Sequence, residues 1–129
     1  EYAGAAALPR VHGKSWAALA AGDHRAWRTA WLYEYNYEKQ FPYTPNVRGI
    51  RTTDWKLIRY PHGDGGPDRF TAELYRVSAD PLEQHNLIDD PAYARQRRRL
   101  EKELDSLSRE IGPDRMPVYE GIINVLPKY

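Results

Sequence analysis

Residues 47–60, VRGIRTTDWKLIRY, hold two runs of β-branched, aliphatic and aromatic residues separated by little more than Asp54. A parallel pair would need a crossover of a dozen or more residues, so these two runs must lie antiparallel. In the second run Trp55, Leu57 and Arg59 alternate with Lys56, Ile58 and Tyr60. A period of two marks a strand with two unlike faces. This hairpin fixes the kind of sheet the chain can build.

Two more strands are predicted around it. From residue 29 to 37, Trp31, Tyr33, Tyr35 and Tyr37 share one phase and Leu32, Glu34 and Asn36 the other. FPYTPN, residues 41–46, ends that strand with two prolines and an asparagine, residues that pre-set or tolerate turn geometry. After the glycine- and proline-rich loop PHGDGGPDRF, TAELYRV at 71–77 is the fourth strand. The aromatic phase of the first strand, with Trp31, Tyr33 and Tyr35, is expected to meet the helix described next.

That helix is predicted over 91–111. Asp90 is a good N-cap, and Pro91 falls at the first helical position, where its missing N–H costs nothing. Tyr93, Arg97, Leu100, Leu104, Leu107 and Ile111 recur at spacings of three and four, which makes one stripe. Arg97–Glu101, Arg99–Glu103 and Asp105–Arg109 are expected to pair one turn apart. Gly112-Pro113 stops the helix. A shorter helix over 16–20 is predicted from Ser15 as cap and Gly22 as terminator. The fold class is α+β: a small antiparallel sheet of about four strands with one long C-terminal helix packed on one face.

Composition narrows the function. The chain has 129 residues, 29% of them charged, and a net charge of +1. Nucleic-acid binding through bulk charge would want a far more basic balance. The basic run RQRRR at 95–99 lies on a helix whose acids follow closely, so it is read as a solvated face. There are no cysteines, hence no disulfide, thiolate metal site or cysteine nucleophile. No apolar run approaches the ~18 residues of a membrane span. Neither nucleic acid nor membrane is an expected partner.

His12, His24, His62 and His85 stand far apart and form no two-ligand spacing. HGDGGPD lacks the alternating oxygen ligands and closing Glu of a calcium loop, and no Gly-Lys-Ser/Thr makes a P-loop. The serines have no nucleophile-elbow context. No catalytic residue is assigned. Glu34 sits mid-strand, opposite in phase to the aromatics. A carboxylate there needs a partner. It either pairs with Arg48 or Arg51 on the next strand or faces a ligand.

Four segments, taken in order, resemble the type I sulfatases, the formylglycine-dependent sulfuric ester hydrolases. VHGKSWAALAAG is similar to a segment that follows their catalytic domain, and WRTAWLYEY to the first strand of their C-terminal subdomain. GIRTTDWKLIRY is similar to the second and third strands. AELYRVSADPLEQHNLIDDP carries the most specific pattern, filled here by Glu73, Leu74, Tyr75, Asp80, Pro81, Glu83, Asn86 and Leu87.

The resemblance implies residues 1–28 as a connecting segment from a preceding catalytic domain, 29–112 as the C-terminal subdomain and 113–129 as a tail. The nucleophile and the calcium site of the family would then lie in the other domain, along with formylglycine; this chain alone is expected to be inactive. It also implies an exported parent, periplasmic or extracellular, acting on sulfated carbohydrate or aryl sulfate. The partners implied are the N-terminal sulfatase catalytic domain and a sulfated sugar substrate, with dimerisation through an exposed apolar face as a further expectation. By the same resemblance Glu34, Tyr35, Arg28 and His12 are the candidate substrate-binding residues at the pocket rim, while Asp80, Glu83 and Asn86 are structural. The alternatives are a stand-alone carbohydrate-binding module, with the aromatics of the first strand exposed for stacking, and an interaction domain without ligand.

Overall fold

The computed structural model describes Gly4 and residues 13–35, 46–61 and 71–111. The expectations for residues 36–45, 62–70 and 112–129, including Tyr37, the His62 loop and the Gly112-Pro113 stop, lie outside the described residues.

The hairpin forms as its short connection demands. Strands β2 (Val47–Thr52) and β3 (Lys56–Arg59) pair antiparallel. Thr52 closes the turn from both sides. Its N–H donates to the Trp55 carbonyl at 2.8 Å, and its Oγ1 accepts from the Trp55 N–H at 3.0 Å. Arg51 Nη1 then donates to the Thr52 carbonyl at 2.6 Å. Strand β1 (Ala30–Tyr35) joins β2, and β4 (Glu73–Tyr75) joins β3, both antiparallel, so the sheet runs β1-β2-β3-β4.

Register builds the core. Leu32 lies opposite Ile50, Ile50 opposite Leu57, and Leu57 opposite Leu74. These four make one row across the sheet, and Ile50, Leu57 and Leu74 are completely enclosed. Burying one such side chain contributes about 1.5–3 kcal/mol. The lid on the row is the long helix. It opens with a 3-10 turn at Pro91–Tyr93, where Asp90 Oδ1 accepts from the Ala92 N–H at 2.9 Å. It continues as helix α2 (Ala94–Ile111). Leu100 and Leu104 are buried, Ile88 joins them from the preceding loop, and Tyr93 and Leu107 pack at the margin. Arg97 sits in the stripe through its hydrogen bond to the Ile88 carbonyl at 3.2 Å. Ile111, at the last turn, remains exposed.

Two expectations are corrected. The aromatic phase of β1 does not meet the helix: Ala30 and Leu32 pack on the core, while Trp31 and Tyr33 are each 48% exposed on the opposite face. The reason is register. Only the phase that aligns Leu32 with Ile50 completes the aliphatic row under α2, and a one-residue slip would exchange the faces. Gly49 lies opposite Tyr33; a Cβ there would meet Tyr33 Cβ at an ordinary 3.8 Å but crowd the Leu57 carbonyl at 3.2 Å. The second correction concerns α2. Arg97 and Glu101 pair at 2.9 Å, but Arg99–Glu103 and Asp105–Arg109 do not. An exposed pair one turn apart gains only a few tenths of a kcal/mol, which hydration and side-chain entropy readily offset.

The short helix α1 (Ala17–Ala20) forms where the Ser15 signal puts it. Ser15 Oγ accepts from the Ala17 N–H at 3.3 Å, and Gly22 at φ +85 ends the turn.

Candidate functional site

The candidate residues lie on β1 and the segment leading into it. Glu34 shares the phase of Ala30 and Leu32, so it points to the helix side of the sheet. Arg48 stands directly opposite on β2, and the two form an ion pair. The Arg48 side chain is 12% exposed and that of Glu34 31%, so the arginine is the more enclosed member of the pair. Tyr35 has the other phase and lies opposite Val47 on the outer face. Strand geometry therefore sends the neighbouring candidates Glu34 and Tyr35 to opposite sides. Arg28 is exposed, with its guanidinium carbon 5.2 Å from the centre of the Trp27 ring. His12 lies outside the described residues.

The outer face carries a network that the sequence reading did not single out. Glu73 accepts from the hydroxyls of Tyr60 and Tyr75, at 2.5 and 2.7 Å. Lys56 Nζ donates to Glu83 at 2.5 Å and lies 5.9 Å from the centre of the Tyr75 ring. Burial, then the Glu73 carboxylate, push the Tyr75 hydroxyl up to about 12. The period of two in ELY was the available signal, because it puts Glu73 and Tyr75 on one face. Beside this network Trp31 and Tyr33 project from β1, Trp31 across from Arg51 and Tyr33 across from Gly49. The helix side of the sheet is covered; this side presents half-exposed aromatics.

The loop after β4 is built from its own polar side chains. Asp80 Oδ2 accepts from the His85 N–H at 2.8 Å. That bond and one from the Gln84 backbone hold the Asp80 carboxyl below its usual range. Glu83 adopts φ 55, a left-handed turn position uncommon for a non-glycine residue. Asn86 Oδ1 accepts from the N–H groups of Leu74 and Ile88 at 2.9 and 3.1 Å, and its Nδ2 donates to the Ala72 carbonyl at 3.2 Å. These contacts are structural, as the sequence pattern implied. Ahead of β1, Asp23 is chelated by Arg25 through Nε at 2.9 Å and Nη2 at 2.8 Å. That pairing lowers the Asp23 carboxyl and raises the Arg25 guanidinium.

Among the described residues no three His, Cys, Asp or Glu side chains converge to hold a metal ion. The described residues offer no cluster that would hold the family's calcium ion. The arrangement can pack, bind and orient.

An antiparallel four-stranded sheet, with a Glu-Leu-Tyr edge strand, an Asp-Pro…Asn-Leu loop and a single long helix, defines a class: the C-terminal subdomain of a sulfatase, a hydrolase. The chain belongs to the family described as N-sulphoglucosamine sulphohydrolase, C-terminal, whose profile matches residues 1–110. It is 33% identical over 87 residues to an N-acetylglucosamine-6-O-sulfatase of Bacteroides thetaiotaomicron, covering 65% of this chain and 14% of that protein. A protein solved with its substrate D-glucosamine-2-N,6-O-disulfate superposes with a TM-score of 0.72 at 26% identity, over 85% of this chain and 22% of the other. A second Bacteroides thetaiotaomicron protein, assigned as a sulfatase, gives a TM-score of 0.67 at 28% identity, over 81% and 21% of the two chains. The chain thus spans about a fifth or less of the length of these relatives.

Proposed function

We propose that this chain completes a sulfatase acting on sulfated glucosamine-type sugars, and that the outer face of its sheet seats the catalytic domain. The observation that carries the reading is the half-exposure of Trp31 and Tyr33 on a face opposite a fully formed core. Two aromatics of ~150–250 Å² each, half exposed, leave about 200 Å² to cover, on the order of 5 kcal/mol of burial. The sugar class rests on the relatives, one acting on N-acetylglucosamine 6-O-sulfate and one solved with a disulfated glucosamine. In this reading the nucleophile, the calcium ion and formylglycine belong to the other domain, and the chain alone releases no sulfate.

Tyr35 and Arg28 are the rim contacts that fit this arrangement. Tyr35 lies on the seating face at the end of β1, and Arg28 is an exposed cation two residues ahead of the strand. His12 remains a candidate by its place in the sequence pattern. Glu34, paired with Arg48, would act on the rim by holding the end of β1 in place.

The test compares one pair of substitutions in two settings. Trp31→Ser/Tyr33→Ser should leave the melting temperature of the 129-residue chain within about 2 °C. In the whole parent protein it should lower both melting temperature and sulfate release from D-glucosamine 6-sulfate. An unaffected parent would remove the seating proposal. The same exposure also favours sugar stacking on Trp31 and Tyr33. In that case the 129-residue chain alone should bind D-glucosamine 6-sulfate with a change in tryptophan fluorescence that Trp31→Ser abolishes.

A further inference from the structure

The run RQRRR divides in the structure. Arg97 turns inward and is engaged by Glu101 and the Ile88 carbonyl. Arg95, Arg98, Arg99 and Lys102 are exposed, as is Arg109 two turns on, and none of the five makes an ion pair or side-chain hydrogen bond among the described residues. With 3.6 residues per turn they fall within an arc of about 100°, centred about 170° from the buried Leu100–Leu104 line. The stripe runs from Arg95 to Arg109, about 21 Å at 1.5 Å per residue. Glu103, Asp105 and Glu110 lie at its margins and leave a surplus of cations along its middle.

The start of this stripe works against the helix. No acid stands in the first turn of α2 or of the 3-10 turn before it. Arg95 and Arg97 instead fall in the first turn, where the macrodipole favours anions, while Arg109 lies in the last turn, where it favours cations. The chain's net charge is only +1, so the surplus is local. Four of the five cations are arginines, whose forked donors grip oxyanions in two parallel hydrogen bonds.

We propose that this stripe is a secondary binding surface for a sulfated polysaccharide, separate from the substrate pocket. The proposal rests on the sulfated-sugar reading above for its choice of polyanion. A run of about 21 Å is longer than one sugar ring, so the stripe should engage polymer and ignore monosaccharide. It lies on the far side of α2 from the sheet, and would hold a polymeric substrate near the enzyme without contacting the reacting group.

The experiment is fluorescence anisotropy of a labelled heparin octasaccharide titrated with the 129-residue chain over a series of salt concentrations. R95Q/R99Q/K102Q should weaken binding at least about tenfold and reduce the log–log salt slope by about 2, three contacts at ~0.7 each. K14Q/R25Q/R76Q removes the same charge elsewhere and should change binding by less than about twofold. Both sets are exposed, and unchanged circular dichroism confirms folding. Equal weakening by the two sets, undiminished binding of a desulfated octasaccharide, or equally tight binding of single-stranded DNA would each overturn the proposal. Failure here leaves the catalytic reading intact. Stripe-dependent heparin binding by a chain whose parent releases no sulfate would sink the catalytic reading and leave the stripe.

Discussion

Asn86→Ala isolates what the Asp-Pro…Asn-Leu loop does for the sheet. The Asn86 carboxamide satisfies the amide N–H groups of Leu74 and Ile88 and the Ala72 carbonyl. Leu74 is completely enclosed and Ile88 nearly so. Alanine leaves both amides without their acceptor, at about 1–3 kcal/mol each. Asn86 itself is exposed, so water can reach part of the gap, and the lower half of that range applies. The expected loss is about 3 kcal/mol, or about 12 °C at ~4 °C per kcal/mol for a chain of this size. β4 is an edge strand, and the Leu87 N–H also donates to the Leu74 carbonyl at 2.8 Å. The 86–88 segment thus occupies an edge that would otherwise offer pairing sites to another chain. Asn86→Asp keeps the Oδ1 acceptor and loses only the Ala72 bond, an expected cost of about 1 kcal/mol. Thermal unfolding followed by circular dichroism, with amide exchange read at Leu74, makes the comparison. A shift below about 4 °C for Asn86→Ala, or equal damage from both substitutions, would refute the reasoning.

Two further predictions concern ionisable groups. Glu34→Ala leaves the largely buried Arg48 side chain without its carboxylate and should lower stability by about 2 kcal/mol, below the 3–5 of a fully buried pair. Adding Arg48→Met should recover most of the loss; unchanged melting with reduced kcat/KM in the parent protein would instead show Glu34 facing substrate. Tyr75 has its hydroxyl raised from 10.0 to about 12. A raised folded value stabilises the protonated form, so its contribution is complete below about pH 10 and lost as pH rises through 12. Two units correspond to about 2–3 kcal/mol. Alkaline unfolding monitored by phenolate absorbance should shift to lower sensitivity in Tyr75→Phe, and an unchanged profile would refute the assignment.

The elements were legible where a local rule has one outcome. A turn as short as Thr52–Trp55 permits only an antiparallel pair, and Asp90-Pro91 permits little but a helix start. The phase of β1 was not legible in the same way. One face carries Trp31, Tyr33 and Tyr35 and the other Leu32, so alternation alone cannot say which is inside. The decision belongs to partners distant in sequence: Ile50, Leu57 and Leu74 form a row that only Leu32 extends. Aromatic size suggested the core, but the space under α2 is filled by aliphatics, which leaves Trp31 and Tyr33 on the other side. The cluster of Glu73, Tyr60 and Tyr75 was hidden for a similar reason, since it joins two strands across a long loop.

That inversion changes how the candidate site is put together. With the aromatics inside, Glu34 would have stood on the outer face beside any docked sugar. With Leu32 inside, Glu34 goes to the helix side, where Arg48 meets it, and Tyr35 takes the outer position. One register choice therefore sends Glu34 into a structural pair with Arg48 and turns its neighbour Tyr35 to the outer face. It also fixes the use of the sheet's two sides. α2 can cover only the aliphatic side, so Trp31 and Tyr33 are left for whatever packs against the other. The strand that closes the core is, through its alternate residues, the strand that reaches outward.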